Sequence, residues 1–228
     1  MNYCENNLIR FYSVPHVRNY IKRQLQLELL GEVPVLSIRT EPLQNPVNRL
    51  AKRLFDLTFS SLFLLTIFPF IYLFVGLIIK ITSPGPIFFK QERNGENGKI
   101  FKCYKFRSMK VNALSDSLQA TKNDPRKTKF GNFLRKSNLD ELPQFINVFK
   151  GEMSIVGPRP HMLKHTEEYS QLINKYMMRH LVKPGITGWA QVTGYRGETK
   201  ELSQMEGRVR RDLWYIETVS YTHLRAHE

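Results

Sequence analysis

Cysteine is scarce in this 228-residue chain, where only Cys4 and Cys103 occur, far apart and outside any CxxC pair. Two such cysteines exclude a disulfide framework and a cysteine-ligated zinc site, and they favour a reducing compartment. Internal repeats and low-complexity tracts are absent from the sequence, which excludes repeat proteins. Acidic residues are few: 20 Asp and Glu stand against 34 Lys and Arg, a formal net charge of +14. This excess predicts anionic partners, namely nucleic acid, phospholipid head groups or phosphorylated substrates.

The first 50 residues contain little that could form a core. The pattern of residues 17–30 predicts one helix, and residues 33–38 read as a short extended segment. Pro42 and Pro46 follow in a polar stretch. We interpret residues 1–50 as an appendage or linker, the remnant of an upstream domain.

Residues 57–79 form a run of 23 residues without a charge, rich in Phe, Leu and Ile. This length suits the hydrocarbon core of a membrane, whereas an apolar helix of a soluble core is usually shorter. Pro69, inside the run, predicts a bend. Basic residues lie on both sides: Arg39, Arg49, Lys52 and Arg53 before, and Lys80, Lys90, Arg93, Lys99 and Lys102 after. One crossing cannot keep both flanks on the cytoplasmic side, but a re-entrant hairpin can, so residues 51–82 are either a re-entrant or a spanning element.

The remaining residues, 83–220, have the composition of a basic α/β domain with a small β element. Asn94-Gly95 and Asn97-Gly98 predict a hairpin turn, and Ile100–Phe106 alternates like a half-buried strand. Lys105 and Arg107 would lie on one side of this strand and suit anionic oxygens, or they simply form a solvated face.

Two adjacent carboxylates, Asp140 and Glu141, precede Pro143 and an apolar run. Because proline is tolerated in the first turn of a helix, a helix is predicted to begin at about Asp140. Carboxylates there stay ionised beside free N–H groups, so one can act as a nucleophile and its neighbour can hold Mg²⁺. The alternative is a capping box between Asn138 and Glu141 with no catalytic role.

Two further segments suggest ligand binding. Arg159 stands between two prolines, a stiff arrangement that suits a guanidinium binding phosphate, although an exposed turn is the alternative. The glycine-rich residues 183–191 would let the backbone approach a ligand closely. His165 and His180 are isolated in the sequence and are predicted to lie at the surface rather than to bind a metal.

Together these segments resemble the monotopic phosphoglycosyl transferases, the bacterial sugar transferases that start surface-polysaccharide assembly. The resemblance covers residues 52–220 and rests on these motifs: Lys52-Arg53-Leu54-Phe55-Asp56, Ser83-Pro84-Gly85-Pro86, Lys105-Phe106-Arg107-Ser108-Met109, Leu139-Asp140-Glu141-Leu142-Pro143-Gln144, Gly157-Pro158-Arg159-Pro160 and Lys183-Pro184-Gly185-Ile186-Thr187-Gly188-Trp189-Ala190-Gln191. Residues 31–43 resemble the linker of the long-form members, whereas the tail, residues 221–228, departs from the family.

The resemblance implies transfer of a sugar 1-phosphate from a UDP-sugar to undecaprenyl phosphate, with release of UMP. Asp140 would form a covalent phosphosugar intermediate, and Glu141 would hold Mg²⁺. Cationic side chains would bind phosphate oxygens, and the glycine-rich segment would help form the nucleotide pocket. The implied substrate-binding residues are Lys105, Arg107, Arg135, Arg159, Lys183, Gly185 and Gln191. A re-entrant helix broken at Pro69 is also implied.

The resemblance further implies UDP-glucose or UDP-galactose as donor, and a role in exopolysaccharide, O-antigen or capsule biosynthesis. The chain is expected in the bacterial inner membrane, in contact with its lipids, with the catalytic domain on the cytoplasmic face. A homodimer is considered possible, and no nucleic acid partner is expected. The alternative is a single-span membrane protein with a basic nucleic-acid-binding domain. A nucleotide-sugar hydrolase and an inactive fragment of a transferase also remain open.

Overall fold

The computed structural model describes residues 2–9, 12–13, 26–30, 33–37, 41–110, 124, 126–197 and 201–219. Helix α1 (Asn2–Asn6) comes first, and strands β1 (Tyr12–Ser13), β2 (Gln26–Leu30) and β3 (Val33–Ser37) form an antiparallel sheet in the order β1-β3-β2. Strand β3 confirms the extended segment. The helix predicted over residues 17–30 is wrong for residues 26–30, where pairing with β3 over five positions decides the conformation. Its other residues lie outside the described part.

Two consecutive helices, α2 (Pro46–Thr66) and α3 (Phe68–Thr82), contain the long apolar run. They are bent by 56° at a break at Ile67, and Pro69 lies in the first turn of α3, where its missing N–H costs nothing. In the described part of the chain no single helix is long and apolar enough to cross a membrane. The bent pair meets the length and hydropathy criteria only when its two helices are taken together.

Both ends of this helix pair are attached to the globular part. In α2 the buried carboxylate of Asp56 accepts hydrogen bonds from the hydroxyl of Ser154 and from the backbone N–H of Ile155, both at 3.0 Å. After α3, Arg107 donates to the backbone carbonyls of Ser83 and Pro84. The segment therefore starts and ends on the same globular unit.

The globular part is mostly helical, with short strands, which confirms the predicted α/β class at this level. Strands β4 (Phe88–Asn94) and β5 (Ile100–Phe106) form the predicted hairpin, joined through a short 3₁₀ helix at Glu96–Gly98. Strands β6 (Ser154–Val156) and β7 (Gly185–Thr187) are parallel. The helices are α4 (Lys129–Ser137), α5 (Gln144–Lys150), α6 (Leu163–Leu172), α7 (Trp189–Val192) and α8 (Leu202–Thr218), with 3₁₀ helices at Leu139–Glu141 and Tyr176–Leu181.

The main apolar cluster joins the helix pair to the hairpin. Phe68 of α3 stacks on Phe106 of β5 with ring centroids 6.1 Å apart, and Leu134 of α4 is buried in the same cluster. A second cluster forms where Met205 and Val209 of α8 pack on the 3₁₀ helix Tyr176–Leu181. The 3₁₀ helix Leu139–Glu141, between α4 and α5, packs against β5 of the hairpin.

Candidate active site

The acidic pair lies in the 3₁₀ helix Leu139–Glu141, between α4 and α5. Helix α4 ends at Ser137 because Asn138 adopts a left-handed conformation with φ 57°. The prediction that a helix begins at about Asp140 is wrong, since α5 begins at Gln144 with Pro143 as its N-cap residue. The capping-box alternative is also wrong: the side chain of Asn138 makes no cap hydrogen bond and accepts one from Arg196 instead.

Glu141 is held by two cationic side chains. Its Oε1 accepts from Nζ of Lys105 at 2.7 Å and from Nη2 of Arg159 at 2.5 Å, and its Oε2 accepts from Nη1 of Arg159 at 3.0 Å. Burial raises the pKa of Glu141, but the charges and hydrogen bonds of Lys105 and Arg159 more than offset this and hold that pKa well below its ordinary value. Glu141 is therefore an anion, and Arg159 makes the two-pronged contact that its stiff setting favours.

Asp140 differs from its neighbour in its contacts. It is 8% exposed and lines a cavity, and no hydrogen bond or ion pair to its carboxylate occurs among the described residues. Burial raises the pKa of Asp140, and repulsion from Glu141 adds to this, against the opposing charges of Lys105 and Arg135. A carboxylate whose basicity is raised and whose lone pairs are unoccupied is suited to nucleophilic attack.

Cationic residues form the wall of this cavity, which has a volume of about 590 Å³. Arg135, on α4, donates its Nε to the hydroxyl of Ser108 at 2.8 Å, which leaves the end of its guanidinium for the cavity. Lys105 on β5 and Arg159, which follows β6, also line the cavity. The other arginines in its wall are Arg93, Arg126, Arg196 and Arg208. The structure thus brings Lys105, Arg135 and Arg159 around the acidic pair.

Arg107 also lines the cavity, but its contacts are structural. The residue is buried, and its two terminal nitrogens bond to the carbonyls that follow α3. Its Nε is buried and has no hydrogen-bond partner among the described residues. Arg107 therefore attaches the end of α3 to the hairpin, and the phosphate-binding role that the resemblance implies stays a prediction.

The glycine-rich segment packs against the backbone next to Arg159 and does not line the cavity of the acidic pair. Gly185 donates its N–H to the carbonyl of Pro158 at 2.9 Å, and a Cβ on Gly185 would lie 2.1 Å from the backbone nitrogen of Gly157. Gln191 is in α7, with its Oε1 buried and without a hydrogen-bond partner. Lys183 lines a separate cavity of about 750 Å³ beside the start of α2. Gly185 therefore supports the Arg159 backbone, while Lys183 and Gln191 do not reach the cavity of the acidic pair.

A buried network, which the sequence analysis did not predict, supports the backbone of Arg159. Arg179 donates Nη2 to the carbonyl of Arg159 at 2.9 Å and to Oδ2 of Asp212 at 2.6 Å. The side chains of Arg179 and Asp212 are 1% and 2% exposed. The same network contains His161 and Arg208 at the cavity wall. The four-residue spacing of Arg208 and Asp212 on an amphipathic helix was the available signal, because such residues share one face.

The two histidines predicted to lie at the surface have different surroundings. His165 is partly exposed and lines the cavity. His180 is buried, and burial together with the charge of Arg179 lowers its pKa to about 3, so the surface prediction is wrong for His180. The 3₁₀ helix Tyr176–Leu181 places His180 in the interior, and an isolated histidine in the sequence carries no signal of such burial.

The described residues contain no group of three or more His, Cys, Asp or Glu side chains that could hold a metal ion. Mg²⁺, however, commonly takes one or two carboxylates and completes its shell with water and substrate phosphates. Within the described part of the chain, Oε2 of Glu141 accepts a single hydrogen bond and retains a lone pair, and the carboxylate of Asp140 accepts none. The donor set therefore fits Mg²⁺ bound together with a phosphate-containing substrate.

Comparison with known proteins gives a consistent assignment. Residues 47–224 match the family described as bacterial sugar transferase. The UDP-glucose:undecaprenyl-phosphate glucose-1-phosphate transferase of Escherichia coli (strain K12) is 53% identical over 204 residues, which cover 89% of this chain and 44% of that protein. The exopolysaccharide production protein PSS of Rhizobium leguminosarum bv. phaseoli is 46% identical over 170 residues, or 72% of this chain and 84% of that protein.

A third relative carries a different sugar in its name. The UDP-N-acetylgalactosamine-undecaprenyl-phosphate N-acetylgalactosaminephosphotransferase of Aeromonas hydrophila is 35% identical over 213 residues, or 91% of this chain and 50% of that protein. The chain thus spans about half the length of the two relatives named as transferases. Since the family match covers most of the chain and includes the acidic pair with its cations, the chain belongs to the bacterial sugar transferase family.

Proposed function

We propose that the protein transfers a sugar 1-phosphate from a UDP-sugar to undecaprenyl phosphate. The observation that carries this proposal is the unequal acidic pair: Asp140 lines the cavity and accepts no hydrogen bond from the described residues, while Glu141 is ion-paired with Lys105 and Arg159. In such a site Asp140 is available as the nucleophile, while Glu141 holds the cationic side chains in place. The names of the relatives support the two substrates. The nucleic-acid-binding alternative receives no support from these relatives.

The positions of the side chains support the following steps. Lys105, Arg135 and Arg159 bind the oxygens of the diphosphate and hold its β-phosphorus near Asp140. An oxygen of Asp140 forms a bond to that phosphorus, the bond to the bridging oxygen breaks, and UMP leaves with the electron pair. A phosphate oxygen of the lipid then attacks the same phosphorus, which releases the Asp140 carboxylate and forms the lipid diphosphate sugar. The covalent bond divides one difficult substitution into two.

Mg²⁺ is part of this proposal, with Glu141 as its protein ligand. When bound, it would supply positive charge against the diphosphate and against the charge that develops on UMP. The ion pairs of Glu141 keep that carboxylate ionised, which a metal ligand requires.

We also propose that α2 and α3 form a re-entrant hairpin in the cytoplasmic leaflet of the bacterial inner membrane. Large apolar side chains around the bend are highly exposed, such as Leu65 at 79% and Phe70 at 75%. A surface of this kind in an isolated chain indicates contact with lipid. Both ends of the pair bond to one globular unit, through Asp56 and through Arg107. This attachment and the basic flanks favour a return to the same side over a crossing.

Glucose is the favoured sugar, because the E. coli relative with 53% identity is named for UDP-glucose and the relative named for an N-acetylated sugar is only 35% identical. Galactose, the other donor implied by the family resemblance, remains an alternative. A role in exopolysaccharide synthesis is proposed from the name of the Rhizobium relative.

The decisive experiment is intact-protein mass spectrometry. Purified protein is mixed with Mg²⁺ and UDP-glucose, UDP-galactose or UDP-N-acetylgalactosamine in the absence of lipid. We expect a sugar-phosphate adduct from one donor, which names the sugar, and its loss in Asp140→Asn. Glu168→Gln, an exposed carboxylate on α6, is the matched control and should retain the adduct. A folded sample that forms no adduct with any donor, or an Asp140→Asn variant that keeps it, would refute the covalent mechanism.

A further inference from the structure

His161 lies at the wall of the active-site cavity and contacts two arginines. It is 5% exposed, and its Nδ1 is 2.6 Å from Nη1 of Arg179 and 2.6 Å from the hydroxyl of Tyr176. Its Nε2 is 3.4 Å from Nη1 of Arg208. The ring therefore has a guanidinium at each of its nitrogens.

This arrangement cannot satisfy both guanidiniums. Burial and the charges of Arg179 and Arg208 hold the pKa of His161 well below its ordinary value, so the ring is neutral. A neutral imidazole has one acceptor nitrogen, whereas a guanidinium only donates. The shorter contact, with Arg179, requires Nδ1 to be the acceptor. Nε2 therefore carries a hydrogen, and it faces a second donor on Arg208.

The rest of Arg208 is already bonded, which fixes its direction. Its Nε donates to the carbonyl of Tyr195 at 3.1 Å and its Nη2 to the carbonyl of Gly197 at 3.0 Å. Within the described residues, Nη1 has only Nε2 of His161 at hydrogen-bond distance, and that atom is not an acceptor. Two donors on buried side chains thus meet at the cavity wall without an acceptor between them.

The local charge points the same way. Arg208 is 6% exposed and lies near Arg179 and Arg159, while the neighbouring carboxylate, Asp212, is bonded to Arg179. Burial and the repulsion from Arg179 lower the pKa of Arg208 to about 10. An anion at this position would supply both the missing acceptor and the missing negative charge.

We propose that Nη1 of Arg208 and the Nε2–H of His161 form a second phosphate-binding subsite in this cavity, distinct from the one that surrounds the acidic pair. The subsite rests on the proposed function, because its ligand is a phosphate group that does not itself react with Asp140. Two substrates carry such a group: the nucleotide, as its α-phosphate, and the lipid acceptor. The chemistry of recognition is the same for both.

The test compares Arg208→Gln and Arg208→Lys with Arg210→Gln, which changes an exposed arginine on the same helix. Binding of UDP and of uridine to the full chain in detergent micelles is measured by calorimetry, and the KM for undecaprenyl phosphate is measured in a second arm. We expect Arg208→Gln to weaken one of the two phosphate ligands at least tenfold and uridine less than twofold. Arg208→Lys keeps the charge but loses the fork, so it should lose about threefold. Arg210→Gln should leave both arms unchanged.

The outcomes separate the possibilities. A loss confined to UDP assigns the subsite to the nucleotide, and a loss confined to the lipid assigns it to the acceptor. Equal losses for UDP and uridine would show a purely structural role for Arg208 and overturn the proposal, as would wild-type behaviour in both arms. If Arg208→Gln does not fold, Arg208→Lys decides by the same criteria. A wild-type protein that binds no UDP would instead contradict the proposed function itself.

Discussion

Replacing Asp212 by alanine is the perturbation whose cost follows most directly from the structure. Asp212 is the carboxylate partner of Arg179, with contacts of 2.6 and 3.2 Å to its Oδ2, and both side chains are almost fully buried. Alanine leaves a buried guanidinium without its counter-charge. Removing one partner of a buried pair costs about 3–5 kcal/mol, because the remaining charge stays desolvated.

We expect Asp212→Ala to lower the free energy of unfolding by about 4 kcal/mol, which is a large share of the total stability of an ordinary domain. The measurement is urea unfolding in detergent micelles followed by far-UV circular dichroism. Glu206→Ala, an exposed carboxylate on the same helix, is the control and should change the stability by less than about 0.5 kcal/mol.

The double variant Arg179→Met/Asp212→Leu tests the reasoning itself. If the cost arises from the unpaired charge, removal of both charges should be less destabilising than Asp212→Ala alone. An Asp212→Ala variant within about 1 kcal/mol of the wild type, or a double variant less stable than the single one, would show that burial of this charge is not the source of the effect.

Three other perturbations have defined outcomes. Gly131→Ala should cost at least about 3 kcal/mol in urea unfolding and displace α4, because its Cβ would lie 1.9 Å from the carbonyl oxygen of Ser108. Glu141→Gln should shift the acid limb of adduct formation to lower pH: its charge raises the pKa of Asp140, so its removal lets Asp140 ionise at lower pH. Asp56→Ala should cost about 3 kcal/mol, measured in the same way, because it removes the acceptor of two hydrogen bonds that attach α2 to β6.

Each of these outcomes has a control. Asn132→Ala changes an exposed residue next to Gly131 and should leave stability within about 0.5 kcal/mol of the wild type. Lys105→Met should move the acid limb in the opposite direction from Glu141→Gln, since Lys105 lowers the pKa of Asp140. Equal shifts in both variants would disprove the electrostatic explanation. Wild-type stability in Gly131→Ala or Asp56→Ala would contradict the corresponding packing argument.

The sequence alone determined several features because their causes are local. Pro69 inside an uncharged run of 23 residues predicts a bend, and the structure bends this run by 56° at Ile67. Apolar and basic residues alternate over Ile100–Phe106, and asparagine-glycine turns precede this segment. The pattern predicts the hairpin that β4 and β5 form. The order of the family motifs predicts the membership that the comparisons confirm.

The tertiary structure decided what depends on contacts between distant segments. Residues 26–30 form a strand because β3 pairs with them, and no periodicity within a single segment can show such a partner. Asp140 and Glu141 are adjacent in sequence, yet their pKa values shift in opposite directions because Arg159 and Lys105 bind only one of them. Arg107 donates to backbone carbonyls after α3, and Arg208 reaches the cavity from α8, far from the acidic pair in the sequence. The residue type alone tells which side chains are charged. Only tertiary packing determines the partner of each charge, and the partner determines whether the charge binds a ligand or stabilises the fold.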